Sequence, residues 1–357
     1  MQSGKSITPH SQQSHWDFRV ALGLVLILVV FTGCASIRND TSLTRFEFQQ
    51  PHMGTLFIIT LYATNETSAR VGSDAAFSKI AVLDRMMTDY DPESELMRLC
   101  REPAGKPVRL SDELFDILRE SLTIAELSHG AFDPTIGPII RQWRRARRQE
   151  TLPTTDQIKH AKKSVGWHNL KLDPVTRTAT LLTNDMQLDL GGIAKGYAAD
   201  KSLEVLRQNG ITRALVAASG DIVAGESPPG QKGWRVFIGT PYSTNSISKK
   251  ILLSNAAVST SGDSEQFVTI GGNRYSHIVD PFTGIGLTNQ LQVSVTARRA
   301  TQTDALATTA CVMGAERGIE FVKSFPQADA TVIYTKNGKQ VMKTSQRLSN
   351  LRGVIEE

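Results

Sequence analysis

Residues 188–200 read Leu-Asp-Leu-Gly-Gly-Ile-Ala-Lys-Gly-Tyr-Ala-Ala-Asp, an apolar segment that passes through two glycines into a helical pattern. We predict a strand over Met186–Leu190 and a helix that begins directly after Gly191-Gly192. Glycines at such a turn let the backbone approach a ligand closely, and the first turn of a helix offers unpaired N–H groups to an anion. Lys195 adds a cation there. The stretch fits either a phosphate site or an ordinary strand-to-helix turn.

Strands and helices are predicted in an irregular order on both sides of this turn, from apolar residues that alternate or that recur every three to four positions. The predicted strands are Phe46–Gln49, Thr55–Tyr62, Leu170–Leu172, Thr178–Leu182, Ala214–Ala218, Trp234–Ile238, Lys250–Leu253, Ala256–Thr260, Tyr275–Val279, Leu291–Thr296, Ala330–Thr335 and Lys339–Lys343. The predicted helices are Ser68–Met87, a segment between Ser111 and Gly130, a segment from the glycine turn to about Asn209, Thr303–Met313 and Ala315–Ser324. Strands outnumber helices, which favours an α+β fold over a doubly wound sheet.

Composition is that of a globular protein. The chain has 357 residues, of which 40% are hydrophobic and 21% are charged, so it can bury a proper core. The net charge is +5, and it falls to +4 without residues 1–33, which carry Lys5, Arg19 and Asp17 (2 − 1 = 1, and 5 − 1 = 4). Aromatic residues make up only 6% of the chain. A small positive excess with few aromatics does not indicate nucleic-acid binding, and we expect no such partner.

The N-terminus is typical of an export signal. An apolar run from Val20 to Phe31 follows Arg19 and precedes Thr-Gly-Cys34. A bilayer-spanning helix needs roughly 20 apolar residues, so the run fits a signal-peptide core better. A small residue before the cysteine resembles the lipobox of bacterial lipoproteins, in which Cys34 would carry the lipid. A plain signal peptide and an uncleaved anchor are the alternatives, and each reading places the body of the protein outside the cytoplasm.

We predict a signal peptide at 1–33, a tether at 34–45, one folded domain at 46–345 and a C-terminal tail at 346–357. Besides Cys34 the chain has Cys100 and Cys311, far apart and both in apolar-patterned segments. Two such cysteines make no disulfide framework, so we expect buried free thiols.

Asp304 and Thr308 are the first candidates for chemistry outside the glycine turn. In a helix they lie one turn apart on the same face. A carboxylate and a hydroxyl so placed can hold a hard cation such as Mg²⁺, and the carbonyl of Gly192 could add a third oxygen. The alternative is an early-helix charge and a hydroxyl bonded to its own helix.

Three further segments allow a functional and a structural interpretation. Ser259–Ser264 is a hydroxyl-rich stretch that fits phosphate or sugar binding or a plain turn. His277 could act as a general base or orient a phosphate, although a lone histidine is commonly structural. The five arginines of Arg141–Arg148 indicate a solvated helical face rather than an anion or partner site. Motifs of common hydrolases, P-loop enzymes and zinc sites are missing from the sequence.

Taken together, seven motifs in order resemble the ApbE family of FAD:protein FMN transferases, over roughly Phe46 to Thr344. The motifs are Met53-Gly-Thr55, Tyr90-Asp-Pro-Glu-Ser-Glu-Leu96, Ala131-Phe-Asp-Pro-Thr-Ile-Gly-Pro138, Asp189-Leu-Gly-Gly-Ile-Ala-Lys-Gly196, Ser259-Thr-Ser-Gly262, His277-Ile-Val-Asp-Pro281 and Thr303-Asp-Ala-Leu-Ala-Thr308. Two departures are Cys100, where the family commonly has Asn, and Ser219, which replaces the first of a usual Gly-Gly pair.

This resemblance implies an α+β fold of mixed, largely antiparallel sheets with packed helices around a central FAD cleft. It implies Mg²⁺-dependent transfer of FMN from FAD to a Thr or Ser hydroxyl of an exported or membrane redox protein, with release of AMP. The residues that would contact FAD are Met53, Tyr90, Ala131, Phe132, Asp133, Asp189, Lys195 and Ile278, with Tyr90 against the flavin ring. The residues that would hold Mg²⁺ are Gly192, through its carbonyl, Asp304 and Thr308.

His277 is the candidate for assisting the attacking hydroxyl. An FAD pyrophosphatase that releases FMN and AMP is the closest alternative activity, and a non-catalytic flavin-binding lipoprotein is another. The pair Asp304 and Thr308 favours the enzymes, because flavin storage does not need a metal at the diphosphate.

Overall fold

The structure is a computed structural model, and it describes residues 43–239, 248–262, 266–336, 339–345 and 353–356. The predicted signal peptide, Cys34 and nearly all of the tether lie outside these residues. Within them, every helix is too short or too polar to cross a membrane.

The described part of the chain alternates helices with short strands. The strands are β1 (Thr44–His52), β2 (Thr55–Ala63), β3 (Val108–Arg109), β4 (Leu170–Asp173), β5 (Thr178–Leu181), β6 (Ala214–Ala218), β7 (Asp221–Ala224), β8 (Trp234–Gly239), β9 (Ser248–Leu253), β10 (Ala256–Gly262), β11 (Phe267–Ile270), β12 (Asn273–Ser276), β13 (Leu291–Ala297), β14 (Asp329–Lys336), β15 (Lys339–Thr344) and β16 (Val354–Glu356). The helices are α1 (Glu66–Met87), α2 (Glu95–Arg101), α3 (Asp112–Leu127), α4 (Gly137–Gln149), α5 (Thr155–Ala161), α6 (Ala194–Gln208), α7 (Ala300–Met313) and α8 (Ala315–Lys323).

An eight-stranded antiparallel sheet in the order β1-β2-β6-β7-β10-β13-β14-β15 forms the centre of the fold. Alternate residues of its strands point into the core, as Phe57, Ile59 and Leu61 of β2 do with no exposed surface. Helices α1, α6 and α7 pack side by side and share one hydrophobic core with the sheet. The α+β fold with largely antiparallel sheets, predicted from the sequence, is confirmed.

Helices α6 and α7 are fastened to each other at two points. The carboxylate of Asp200 on α6 accepts hydrogen bonds from the N–H groups of Ala300 (2.8 Å) and Thr301 (2.9 Å), which are orphan donors at the start of α7. One turn earlier, the N–H of Gly196 donates to Asp304 Oδ2 at 3.0 Å. A Cβ at position 196 would overlap the carbonyl oxygen of Ala300, so glycine permits this close approach.

The strand predicted over Met186–Leu190 is wrong. This segment is extended, but only Gln187 forms a bridge there, an isolated parallel one with Ile136. Its backbone N–H groups find partners outside a sheet: that of Asp189 donates to the carbonyl of Pro134 at 2.8 Å, and that of Leu188 to Cys100 Sγ on helix α2 at 3.3 Å. The apolar residues of this segment reflect its burial. A buried extended loop and a buried strand have the same apolar content, so the sequence could not tell them apart.

Two other boundaries need correction. The strand predicted over Tyr275–Val279 ends at Ser276, because the chain then turns back and the N–H of Leu287 donates to the carbonyl of Ile278 at 2.9 Å. In the segment predicted as a C-terminal tail, Val354–Glu356 pair with β9. The last two predicted strands pair as the terminal hairpin of β14 and β15, and α6 ends close to the predicted Asn209, before Gly210 with its positive φ of 77°.

We predict that replacing Gly196 by Ala destabilises the protein by about 1–3 kcal/mol or more, since the added methyl meets backbone that cannot move aside. Gly72 is the matched control on α1, where an added Cβ meets only the mobile end of the Ile211 side chain and alanine favours the helix. Urea unfolding of the two variants measures the difference. Equal midpoints for G196A and G72A would contradict the close α6–α7 contact.

Candidate functional site

A single cleft of about 1000 Å³ gathers the residues singled out from the sequence. This volume is at the upper end of the range for ligand sites. The predicted residues that line it are Met53, Tyr90, Ala131, Phe132, Asp133, Asp189, Gly192, Lys195, His277, Ile278, Asp304 and Thr308. They come from segments spread over most of the domain, so only the fold brings them together. Their individual binding roles stay predictions.

At the floor of the cleft, the ammonium group of Lys195 lies between two buried carboxylates. Lys195 Nζ lies 3.2 Å from Asp221 Oδ2 and 3.6 Å from Asp304 Oδ2, and it also donates to the carbonyl of Gly191 at 3.2 Å. Asp221 and Asp304 are 3% and 2% exposed. Sequence analysis missed Asp221, whose place at the start of the unpredicted strand β7 gave no signal of its own.

Burial and the neighbouring charges shift the pKa values of Asp304 and Lys195. Burial is the main cause that raises the pKa of Asp304, and the nearby carboxylate of Asp221 adds to it against the opposing effect of Lys195. Burial alone would lower the pKa of Lys195, but the charges of Asp221 and Asp304 outweigh it and raise that pKa above its usual value. Lys195 therefore stays an ammonium in this site.

The three residues predicted to hold a metal, Asp304, Thr308 and Gly192, all line the cleft, and their role as ligands stays a prediction. An added Cβ at Gly192 would lie 3.3 Å from Thr308 Oγ1, so backbone and hydroxyl are neighbours. Thr308 Oγ1 also lies 3.2 Å from Ser261 Oγ in the hydroxyl-rich stretch, two residues before the undescribed positions 263–265. Within the described residues, no group of three His, Cys, Asp or Glu side chains surrounds a metal position. A set of one carboxylate, one hydroxyl and one carbonyl suits a hard cation that keeps other ligands, as Mg²⁺ does.

The hairpin between β1 and β2 presents Met53 at the cleft. Its two turn residues, Met53 and Gly54, have positive φ angles of 49° and 71°, as a tight turn between antiparallel strands requires. The N–H of Met53 donates to Asp84 Oδ2 at 2.9 Å, which ties the turn to α1. Gly54 is therefore a turn glycine, and the pairing of β1 with β2 continues without a bulge up to His52 and Thr55.

The loop that carries Ala131, Phe132 and Asp133 forms a buried wall of the cleft. Asp133 Oδ1 accepts from the N–H and hydroxyl of Thr135 at 2.8 and 2.6 Å, and its Oδ2 accepts from the N–H of Trp167 at 3.2 Å. Burial nonetheless raises the pKa of Asp133. Its carboxylate thus holds the loop in shape, and Phe132 lies beside Gly192.

Asp189 and Arg144, one member of the arginine run, form a second group of charges in the cleft. Asp189 Oδ1 accepts from the N–H of Gly191 at 2.8 Å, and its Oδ2 accepts from Arg144 at 3.1 Å. Arg144 also binds Asp89, and its guanidinium lies 4.3 Å from the centre of the Tyr90 ring. The solvated face expected for the whole run is wrong for Arg144, because helix α4 turns it towards the cleft.

His277 and Ile278 line the cleft from the end of β12. The Nδ1 atom of His277 lies 3.0 Å from the carbonyl oxygen of Gln266, a contact that favours the tautomer with its proton on Nδ1. Ile278 is buried, and its N–H donates to Ser276 Oγ at 3.1 Å. The half-buried ring of His277 is therefore held by backbone at the cleft wall.

The structure shows the surroundings of Cys100 and Ser219, the two departures from the family pattern. Cys100 is a free thiol, as is Cys311, and its Sγ accepts a hydrogen bond from the N–H of Leu188, which lies just before the glycine turn. Burial raises the pKa of the Cys100 thiol to about 11, so it stays protonated. Ser219 adopts a positive φ of 56° in the turn between β6 and β7, a conformation that favours glycine.

Comparison with known proteins gives a consistent result. The model of the ApbE family matches residues 53–332, a range that contains every cleft residue predicted from the sequence. An FAD:protein FMN transferase of Klebsiella pneumoniae (strain 342) is 29% identical over 330 residues, 90% of this chain and 93% of that protein. The FAD:protein FMN transferase of Escherichia coli (strain K12) is 31% identical over 265 residues, 71% of this chain and 74% of that protein.

Solved structures agree with these sequence matches. The flavin transferase ApbE from Vibrio cholerae superposes with a TM-score of 0.78 and 25% identity, covering 87% of this chain and 99% of that one. The ApbE protein from Thermotoga maritima has a TM-score of 0.75 and 28% identity, covering 86% of this chain and 98% of that one.

Proposed function

This chain belongs to the ApbE family and is a transferase, and we propose that it moves FMN from FAD to a Ser or Thr hydroxyl of a redox protein, with Mg²⁺ bound and AMP released. The observation that carries the proposal is the meeting of Asp304, Thr308, Gly192 and Lys195 at the floor of one cleft.

The residues present fit a magnesium ion. Asp304 Oδ2 is engaged by Gly196 and Lys195, while its Oδ1 accepts no hydrogen bond within the described chain. Asp304 Oδ1, Thr308 Oγ1 and the carbonyl of Gly192 would hold the metal as hard oxygen ligands. When bound there, Mg²⁺ supplies positive charge to a diphosphate.

Lys195 contributes to the same charge balance from the protein side. Cleavage of a diphosphate depends on neutralising negative charge and on positioning more than on a protein nucleophile. The side chain of Lys195 is 27% exposed and its ammonium is held by Asp221, so the ammonium can approach a phosphate oxygen without losing its anchor. Lys195 would stabilise the charge that develops on the departing AMP.

The acceptor protein would supply the nucleophile. Its hydroxyl oxygen bonds to the phosphorus of the FMN half of FAD, the bond from that phosphorus to the bridging oxygen breaks, and AMP leaves with the oxygen. His277, at the wall of the cleft, is the candidate that takes the hydroxyl proton. A nucleophile from the partner explains why the described cleft contains no serine paired with a histidine.

An assay with an acceptor protein tests this function. The protein is incubated with FAD, Mg²⁺ and an acceptor that carries an Asp-Gly…Ser/Thr-Gly flavinylation sequence, and we expect the acceptor to gain the mass of FMN less one water, with equimolar AMP. A control acceptor with Ala at the Ser/Thr position should stay unmodified. Release of AMP and free FMN without modification would indicate a pyrophosphatase, and FAD binding without turnover a flavin-storage protein.

We predict that Asp304→Asn lowers the transfer rate by about 10²- to 10³-fold, because the variant keeps its shape but loses a charge that acts on the metal. Thr308→Val should act in the same direction, whereas Thr308→Ser, which keeps the hydroxyl, is its matched control. Mn²⁺ binding measured by electron paramagnetic resonance gives a readout independent of turnover. Wild-type Mn²⁺ affinity and activity in D304N would rule out the metal assignment.

We also propose that the protein is exported and anchored by a lipid on Cys34, on the periplasmic side of a bacterial membrane. The support is the apolar run from Val20 to Phe31 and the Thr-Gly-Cys34 that follows it. These residues lie outside the described part of the chain. The same location would hold the exported or membrane redox proteins that receive FMN.

The Cys34→Ser variant of the full chain should lose its lipid and move from the membrane to the soluble periplasmic fraction. The reason is that acyl chains, rather than a spanning helix, would supply the membrane affinity. Fractionation followed by mass spectrometry of the N-terminal peptide measures both effects. An unmodified Cys34 in the wild type would argue for a plain signal peptide or an uncleaved anchor.

A further inference from the structure

Helix α4 separates the arginines of its basic run onto two faces. The residues that line the cleft from this helix are Ile140, Trp143, Arg144 and Arg147, which recur at the spacing of one helical face. Arg141, Arg145 and Arg148 occupy the adjacent, exposed face. Of the five, Arg144 alone forms ion pairs within the described residues. The five arginines look alike in the sequence, but within the described part of the chain Arg144 differs from the others in having ion-pair partners.

Arg144 makes three contacts that converge on the mouth of the cleft. It binds the carboxylate of Asp89, and it donates to Asp189 Oδ2 at 3.1 Å. Its guanidinium carbon lies over the Tyr90 ring, 4.3 Å from the ring centre, within the range of a cation–π contact. The Arg144 side chain is only 22% exposed, whereas Tyr90 is 76% exposed. One face of the Tyr90 ring is thus covered by Arg144, and most of the rest is open.

The charges around Arg144 keep it in this position. Burial lowers its pKa, but the hydrogen bond to Asp89 and the charges of Asp189 and Asp89 outweigh burial and raise that pKa. Asp189 has a raised pKa, chiefly through burial and then through the charge of Asp89, so the two carboxylates repel each other. Arg144 separates and neutralises them. Without it, two carboxylates would face an anionic ligand at the mouth of the cleft.

We propose that Arg144 is a positioning residue that holds Tyr90 as a ready-made stacking platform for the flavin ring of FAD. The inference rests on the proposed function and adds a residue and a role to it. An exposed tyrosine in a turn otherwise loses rotamer freedom when a ligand stacks on it, and that loss weakens binding. Arg144 fixes the ring beforehand and leaves its outer face to the flavin.

The variant Arg144→Met keeps the length of the side chain and removes both the charge and the planar group. We expect about tenfold weaker FAD binding by equilibrium dialysis, from the loss of a partly buried cation–π contact and of charge neutralisation. The visible circular dichroism of the bound flavin should also change, because Tyr90 would no longer hold the flavin ring in one orientation. Arg144→Lys should restore only part of the affinity, since an ammonium lacks the planar fork.

Arg145→Met is the matched control, one position along α4 on the exposed face. It should leave FAD affinity, the flavin spectrum and the KM for FAD within twofold of the wild type. R144M should raise the KM for FAD with a smaller change in kcat at saturation, because a stacking platform acts mainly on binding. Thermal unfolding of each variant shows whether weaker FAD binding comes from a misfolded protein or from a misplaced Tyr90. If R144M fails to fold, R144K is compared with the wild type in its place.

A double-mutant cycle with Tyr90→Ala tests whether Arg144 acts through the tyrosine. In the Y90A background, R144M should weaken FAD binding by clearly less than it does in the wild type. If the wild type transfers FMN and R144M binds FAD within twofold of it, the inference on Arg144 is overturned while the function stands. Equal losses in both backgrounds also overturn it. A wild type that binds no FAD would overturn the inference and the proposed function together.

Discussion

The close approach of helices α6 and α7 at Gly196 is the constraint on which the cleft depends. Because position 196 has no Cβ, the backbone of α6 lies against that of α7, and the Gly196 N–H reaches Asp304. The same contact places the glycine turn, which precedes α6, beside Thr308, one turn further along α7. Asp200 reinforces it by satisfying the first N–H groups of α7. Residues more than a hundred positions apart thereby become one site.

The cleft distributes its charge by a repeated arrangement, in which one cation lies between two carboxylates. At the floor Lys195 lies between Asp221 and Asp304, and at the mouth Arg144 lies between Asp89 and Asp189. In each group the cation neutralises the buried or half-buried carboxylates, which would otherwise repel an anionic substrate. The two cations differ as their surroundings demand: a compact ammonium suits a phosphate oxygen, and a planar guanidinium suits an aromatic face.

Several structural elements could be predicted from local patterns because local interactions determine them. Helix α6 ends before Gly210, Ser111 caps α3 through the N–H of Leu114, and β14 pairs with β15 as the terminal hairpin. Met186–Leu190 could not be assigned in this way, since a buried extended loop and a buried strand show the same apolar content. Asp221 was missed for a similar reason, because its importance arises only from Lys195, which approaches it from the first turn of α6.

The sequence by itself determined the family, the α+β class and the residue types that a flavin and a hard metal would require. Those properties depend on motifs of a few residues and on their order, which a linear reading can detect. Only the tertiary structure decided that Arg144 belongs to the cleft while Arg145 faces solvent, and that Asp133 serves its own loop. The reason is physical: burial, charge pairing and hydrogen-bond partners are properties of neighbours in space, and chain order does not specify them.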